Sequence, residues 1–181
     1  MRYITAALFL LLTGCSSQPA SSYYQLPAAP VMAGSAEAEA KSLYVEPVQV
    51  ASYLNGRGLV LQLSEVEMVT ARQHLWAEAL DQQLQRQLRD RIVAQASGYT
   101  AVLQARPDTV RVSVQLDQFH GLADGHAIVS GRFAVSAQSG SQPFNIRIAL
   151  ADDGYPALVQ ALGQAVQQLS QQISRQLAGA A

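Results

Sequence analysis

The sequence predicts an α+β fold: a single two-layer domain with a mostly antiparallel or mixed sheet and two amphipathic helices packed on one face. Three observations predict it. The run Asp108–Phe119 puts Val110, Val112, Val114 and Leu116 on one face and Thr109, Arg111, Ser113 and Gln115 on the other, the alternation of a half-solvated strand. Two other stretches, one led by Trp76 and Leu80 and one by Leu158, repeat apolar residues at helical spacing. A sheet with one apolar face needs a covering layer, and two helices with one apolar stripe each supply it. The 181 residues are 49% apolar and 14% charged, enough for one packed core and unlike a disordered or multi-span membrane chain.

The elements follow in order. Ser22–Pro27 alternates weakly and ends at Pro27, which suits a short strand. Residues 27–42, rich in Ala, Pro, Gly and Ser, read as a loop. Leu43–Val50 reads as a strand, with Leu43, Val45 and Pro47 on one face and Tyr44, Val48 and Val50 on the other. Asn55-Gly56 and Gly58 supply a turn. Leu59–Val69 is extended, with Leu59, Leu61 and Leu63 alternating and a break near Ser64. Trp76, Leu80, Leu84, Leu88 and Ile92 then form a helical stripe, with His74 at the start of that helix. A short strand at 101–104 precedes the long run 108–119. Asp124-Gly125 turns the chain into the strand "AIVSGRFAVSA", "SGSQP" turns it again, and Phe144–Leu150 is the last strand. Pro156 suits a first helical position, and Leu158, Leu162, Val166, Leu169, Ile173 and Leu177 form the second stripe.

The N-terminus reads differently. Arg2 supplies a positive charge and Tyr3–Leu12 an apolar run, too short to cross about 30 Å of hydrocarbon but right for a secretory signal. Leu12-Thr13-Gly14-Cys15 resembles the bacterial lipobox: a bulky aliphatic, two small residues, then cysteine. Residues 1–14 are therefore expected to be a lipoprotein signal, cut between Gly14 and Cys15. Cys15, the sole cysteine, would carry an S-diacylglycerol and an N-acyl chain. One acyl chain holds a protein only marginally and each buried CH₂ adds about 0.8 kcal/mol, so three chains attach it for good. Ser16 stands where Asp would retain a lipoprotein in the inner membrane, which points to the inner leaflet of the outer membrane, facing the periplasm. Residues 15–21 are then a lipidated tether of at most about 23 Å, and residues 22–181 the periplasmic domain.

The chain offers little chemistry. A net charge of −1 leaves no basic excess for nucleic acid. Nucleophile-elbow, phosphate-loop, dinucleotide and zinc-protease motifs are lacking, so no catalytic residue, metal site or cofactor is expected. Asp117, His120, Asp124 and His126 gather around one hairpin; His120 and His126 could face each other across it, but Asp124 is expected to serve the turn and the histidines to be exposed flanks. Asp152-Asp153 reads as helix-start chemistry. Tyr53 and Leu54, in the loop before Asn55, are weak candidates for a partner contact.

Five stretches in order carry a family resemblance: "YYQLP" soon after the lipobox, "VASYLNGRGLV", "LWAEALDQQLQRQL", "DGHAIVSGRF" and "DGYPALVQAL". Together they resemble the ABC-type transport auxiliary lipoproteins. The resemblance implies a non-enzymatic subunit of an MCE-type intermembrane lipid transport system. Its partners would be a periplasm-spanning MCE tunnel protein and an inner-membrane component, and it would dock the tunnel at the outer membrane and support envelope integrity. A tunnel end is a ring, so a homo-oligomeric ring is expected, with Gln82, Gln83, Gln164, Gln167, Gln168, Gln171 and Gln172 as neutral packing faces. The rival readings are a stand-alone periplasmic lipid binder, which requires an apolar cavity, and a structural lipoprotein without a transport partner.

Overall fold

The computed structural model describes residues 20–29, 40–136 and 138–179. Its elements are β1 (Ser22–Tyr24), β2 (Lys41–Val45), β3 (Gln49–Val50), a 3₁₀ turn (Ser52–Leu54), β4 (Gly58–Gln62), β5 (Met68–Trp76), α1 (Leu80–Val93), β6 (Tyr99–Ala101), β7 (Val110–Leu122), β8 (His126–Val135), β9 (Gln142–Ala149) and α2 (Tyr155–Ala178). Strand β7 is the trunk of one mixed sheet. One of its edges pairs antiparallel with β8, which pairs with β9. Its other edge takes β2, β3 and β4 end to end, all parallel to it. From there β2 leads to β6, and β4 leads through β5 to β1.

Registers along β7 explain which side chains face inward. Between Val45 and Gln49 the chain advances four residues while β7 advances three, from Val112 to Gln115. That extra residue flips the alternation. Leu43 and Val45 share a buried face, but Pro47, expected on that face, is exposed, and Val48, expected on the other, is buried. The single expected strand over 43–50 is therefore two, separated at a proline that cannot donate to a ladder. The start of β2 at Lys41 also takes the last residues of the stretch expected to be loop.

A second shift lies in β7. Leu116 pairs with Gly131 and Gln118 with Ser130, leaving Asp117 as a bulge. The inward face therefore passes from Val112, Val114 and Leu116 to Phe119 and Gly121. Gly131 is required opposite the bulge, because a Cβ there would lie 2.0 Å from the Gln115 carbonyl oxygen.

Both helices lie side by side on one sheet face, α2 across β7, β8 and β9 and α1 against β2 and β6. Leu158, Leu162, Val166, Leu169, Ile173 and Leu177 are all buried, as their spacing predicts. The first helix begins later than its stripe. Trp76 ends β5, and His74 is also in that strand. The Trp76 N–H donates to the Arg57 carbonyl at 2.6 Å and the Ala77 N–H to that of Tyr24 at 2.8 Å, so sheet pairing claims both donors. Trp76 still reaches the core and lies 6.1 Å from Phe119 between ring centroids. The other expected strands hold with shifted ends: β6 at 99–101 rather than 101–104, β7 running on to Leu122, and β9 starting at Gln142.

Candidate functional site

Cys15 and Gly14 lie outside the described residues. What the structure shows is how the chain behind them joins the domain. Strand β1 adds to the edge of β5, parallel, with Ser22 opposite His74 and Tyr24 opposite Trp76. The Tyr24 hydroxyl is 3.0 Å from His74 Nδ1, and His74 stacks on Tyr155 with centroids 4.0 Å apart. The chain then leaves the sheet and runs over the helix layer as a strap, 25–29.

Polar side chains from the helix seam hold this strap. Gln83, Gln87 and Arg91 recur at four-residue spacing on α1, a second stripe beside the leucines, and Gln95 continues it just past the helix end. Gln83 Oε1 accepts the Leu26 N–H. Arg91 donates through Nη2 to the Pro27 carbonyl at 2.7 Å, through Nη1 to Gln167 Oε1 at 2.6 Å, and through Nε to Gln87 Oε1 at 3.2 Å. Arg91 is only 5% exposed and these acceptors are neutral. Burial lowers its pKa, but a guanidinium stays charged, so carbonyl oxygens take the place of water around it. Gly163 of α2 completes the seat: a Cβ there would meet Pro27 Cδ at 2.6 Å. Among the described residues, the buried Gln83 Nε2 has no hydrogen-bond partner. Composition does not disclose this seam. The ladder of polar residues at helical spacing is the signal that could have.

The 3₁₀ turn caps the sheet's other face. Leu54 is 3% exposed, so it is removed from the candidate surface contacts. Tyr53 is partly exposed. Its hydroxyl donates to the Asp117 carbonyl at 3.0 Å, and its ring lies 6.2 Å from that of His120. Burial raises the Tyr53 pKa above its ordinary value, and the Asp117 carboxylate adds to the rise. His120 is 1% exposed, not the exposed flank its hairpin position predicts, because β7 runs past it to Leu122. Burial lowers its pKa against a backbone hydrogen bond to Gly121 that raises it, so the ring is neutral at pH 7.

His126 pairs across the hairpin with Leu122, while His120 pairs with Ile128, so the two histidines do not face each other. His126 instead lies 3.1 Å from Asp124 Oδ1, and Asp124 also takes Arg147. Among the described residues, no three His, Cys, Asp or Glu side chains converge as a metal site. Among the described residues, an open recess of about 390 Å³ with more apolar than polar lining lies at Gln95, Gln171, Ser174, Arg175 and Ala178, and a more polar one of about 160 Å³ at Glu46, Gln49, Gln115 and Arg132.

These residues build an α+β domain whose first described strand is locked into the sheet edge. The chain belongs to the family of ABC-type transport auxiliary lipoprotein components, whose model matches residues 24–174. It is similar to the intermembrane transport lipoprotein PqiC of Escherichia coli, 35% identical over 170 residues covering 89% of each chain. The PqiC of Shigella flexneri matches to the same extent. A crystal structure of an uncharacterized protein superposes with a TM-score of 0.78 at 34% identity, covering 88% of this chain and 99% of the other. A Xanthomonas campestris protein shares the fold, with a TM-score of 0.63 at 15% identity over 88% of this chain and all of its own.

Proposed function

We propose that this chain is the outer-membrane lipoprotein subunit of an MCE-type intermembrane lipid transport system. It docks the periplasm-spanning tunnel at the inner leaflet of the outer membrane and so supports envelope integrity. The observation that carries this is the similarity to PqiC over 89% of the chain, joined to a lipobox cysteine seven residues ahead of β1. The strap adds a physical reason. A load on the lipid anchor is taken by the β1–β5 ladder and the Arg91 seam, so the tether does not lengthen by peeling from the domain.

In this reading the protein works by position. Cys15 supplies the anchor, and the tether holds the domain within about 23 Å of the bilayer. A ring of copies matches a tunnel mouth. Gln82, Gln164, Gln168 and Gln171 are exposed and uncharged, which favours close packing of like surfaces, whereas Gln83 is buried and serves the strap.

The test is co-purification of the tagged, lipidated protein from detergent-solubilised envelopes, with mass spectrometry of its companions. Recovery of an MCE protein in stoichiometric amount is the expected result. Recovery of the lipoprotein alone, or with bound lipid only, overturns the adaptor role. Cys15→Ala is expected to abolish lipid attachment and outer-membrane fractionation while leaving the circular-dichroism spectrum of the domain unchanged. The ring predicts an oligomeric mass for the lipidated protein in detergent, and a monomer there overturns it.

A further inference from the structure

The end of the β4–β5 hairpin inverts the usual surface chemistry. Every residue from Leu63 to Thr70 is exposed, on both faces, so this end stands clear of the domain. It passes the end of β7, since Gln62 already pairs with Leu122. A free-standing polar loop would be ordinary, but this one carries Leu63 at 47%, Val66 at 94%, Met68 at 41% and Val69 at 40% exposure. The turn is ordered by the Leu63 N–H donating to the Glu67 carbonyl at 2.9 Å. Large apolar side chains held out together mark a contact surface.

Strand direction identifies what this end meets. Because β1 runs parallel to β5 with Ser22 opposite His74, the chain ahead of Ser22 departs toward Met68, the hairpin end. From His74 back to Met68 is roughly 20 Å of strand, and the seven residues from Cys15 to Ser21 span at most about 23 Å. That reach is long enough to bring the anchor to the level of the hairpin end, on the side from which β1 enters the sheet. We infer that the tip formed by Leu63, Val66, Met68 and Val69 is a second membrane contact, inserting into a zwitterionic phospholipid surface beside the lipid anchor. This rests on Cys15 being the lipidated residue. Glu65 and Glu67 flank Val66, so the tip matches headgroups that bear an ammonium rather than a net negative surface. Two points of attachment, one covalent and one apolar, fix the tilt of the domain, which a single flexible tether does not.

The test uses the lipidated full-length protein in vesicles of phosphatidylethanolamine and phosphatidylcholine. Val66→Cys carries an environment-sensitive fluorophore, and the vesicles carry a headgroup-region spin-label quencher. Leu103→Cys is the control. Leu103 is 77% exposed but follows β6, whose end is level with Val110, far along β7 from Leu122. Several-fold stronger quenching at position 66 than at 103 is expected. Equal quenching at both positions, on protein that floats with the vesicles, overturns the tip contact and leaves the anchor standing. A label at 66 shielded from aqueous quencher but untouched by the lipid quencher also overturns it, because a protein surface then covers the tip. A mature N-terminal peptide without lipid mass, with no flotation, overturns the anchor and the tip contact together.

Discussion

The helix seam and the hairpin end are opposites. The seam buries Gln83, Gln87, Arg91, Ser170 and Ser174, which in most proteins face water. The hairpin end exposes Leu63, Val66, Met68 and Val69, which in most proteins avoid it. Each is a local departure from the rule that apolar side chains go inside, and each serves the N-terminal attachment. In the seam, polar groups grip a backbone strap that has no ladder of its own. At the hairpin end, apolar groups wait for a surface outside the domain. The lesson is in the energetics: substitutions in the seam should act on folding, and substitutions at the end should act on attachment and spare folding.

The largest effect is expected at Arg91. Arg91→Ala leaves Gln87, Gln167 and the Pro27 carbonyl without their donor inside a packed site, and should destabilise by about 3 kcal/mol in urea denaturation. Arg91→Lys should recover only part of this, since a point charge cannot replace the fork. Gly163→Ala comes next. Its new methyl meets Pro27, and overpacking of this kind costs about 1–3 kcal/mol. It should also raise hydrogen exchange of the Leu26 amide by more than the global loss explains. If Leu26 stays protected, the strap is not seated by that glycine.

His120 gives a smaller effect with a definite sign. Its folded pKa lies below the ordinary value, so the unfolded chain binds the proton more readily. Its contribution to stability is whole above pH of about 6.5 and is lost as the pH falls from there toward the folded pKa. Denaturation midpoints measured between pH 7 and 5 should fall, and less steeply in His120→Gln. The smallest effect is at Val66. Val66→Ser should shift stability by no more than about 0.5 kcal/mol. A large loss of stability there would show that the hairpin end packs into the fold and would erase the contrast with the seam.

Much of the fold was readable because period reports burial. The stripe from Leu158 to Leu177 has one answer at helical spacing, and all six of its residues are buried. The alternation from Val110 to Leu116 likewise has one answer as a strand. Trp76 was misread because its spacing to Leu80 also suits a helix, and only the backbone partners Arg57 and Tyr24 assign it to a strand. Leu54 and His120 look exposed from their turn-rich neighbours. They are buried because the 3₁₀ turn folds back over β7, a contact between residues far apart in the chain.

By itself, the sequence determined the local facts: two amphipathic helices and strands with one apolar face. These follow from side-chain order over a few residues, where geometry repeats with period 2 or 3.6. Only the tertiary structure decided that β2, β3 and β4 share one edge of β7, that Asp117 bulges opposite Gly131, that Arg91 closes over Pro27, and that the hairpin end lies on the side from which β1 enters the sheet. Each depends on which distant backbone fills a given edge or groove. A hydrogen-bond donor is satisfied by whichever acceptor packing brings to it, and no local pattern states which one that will be.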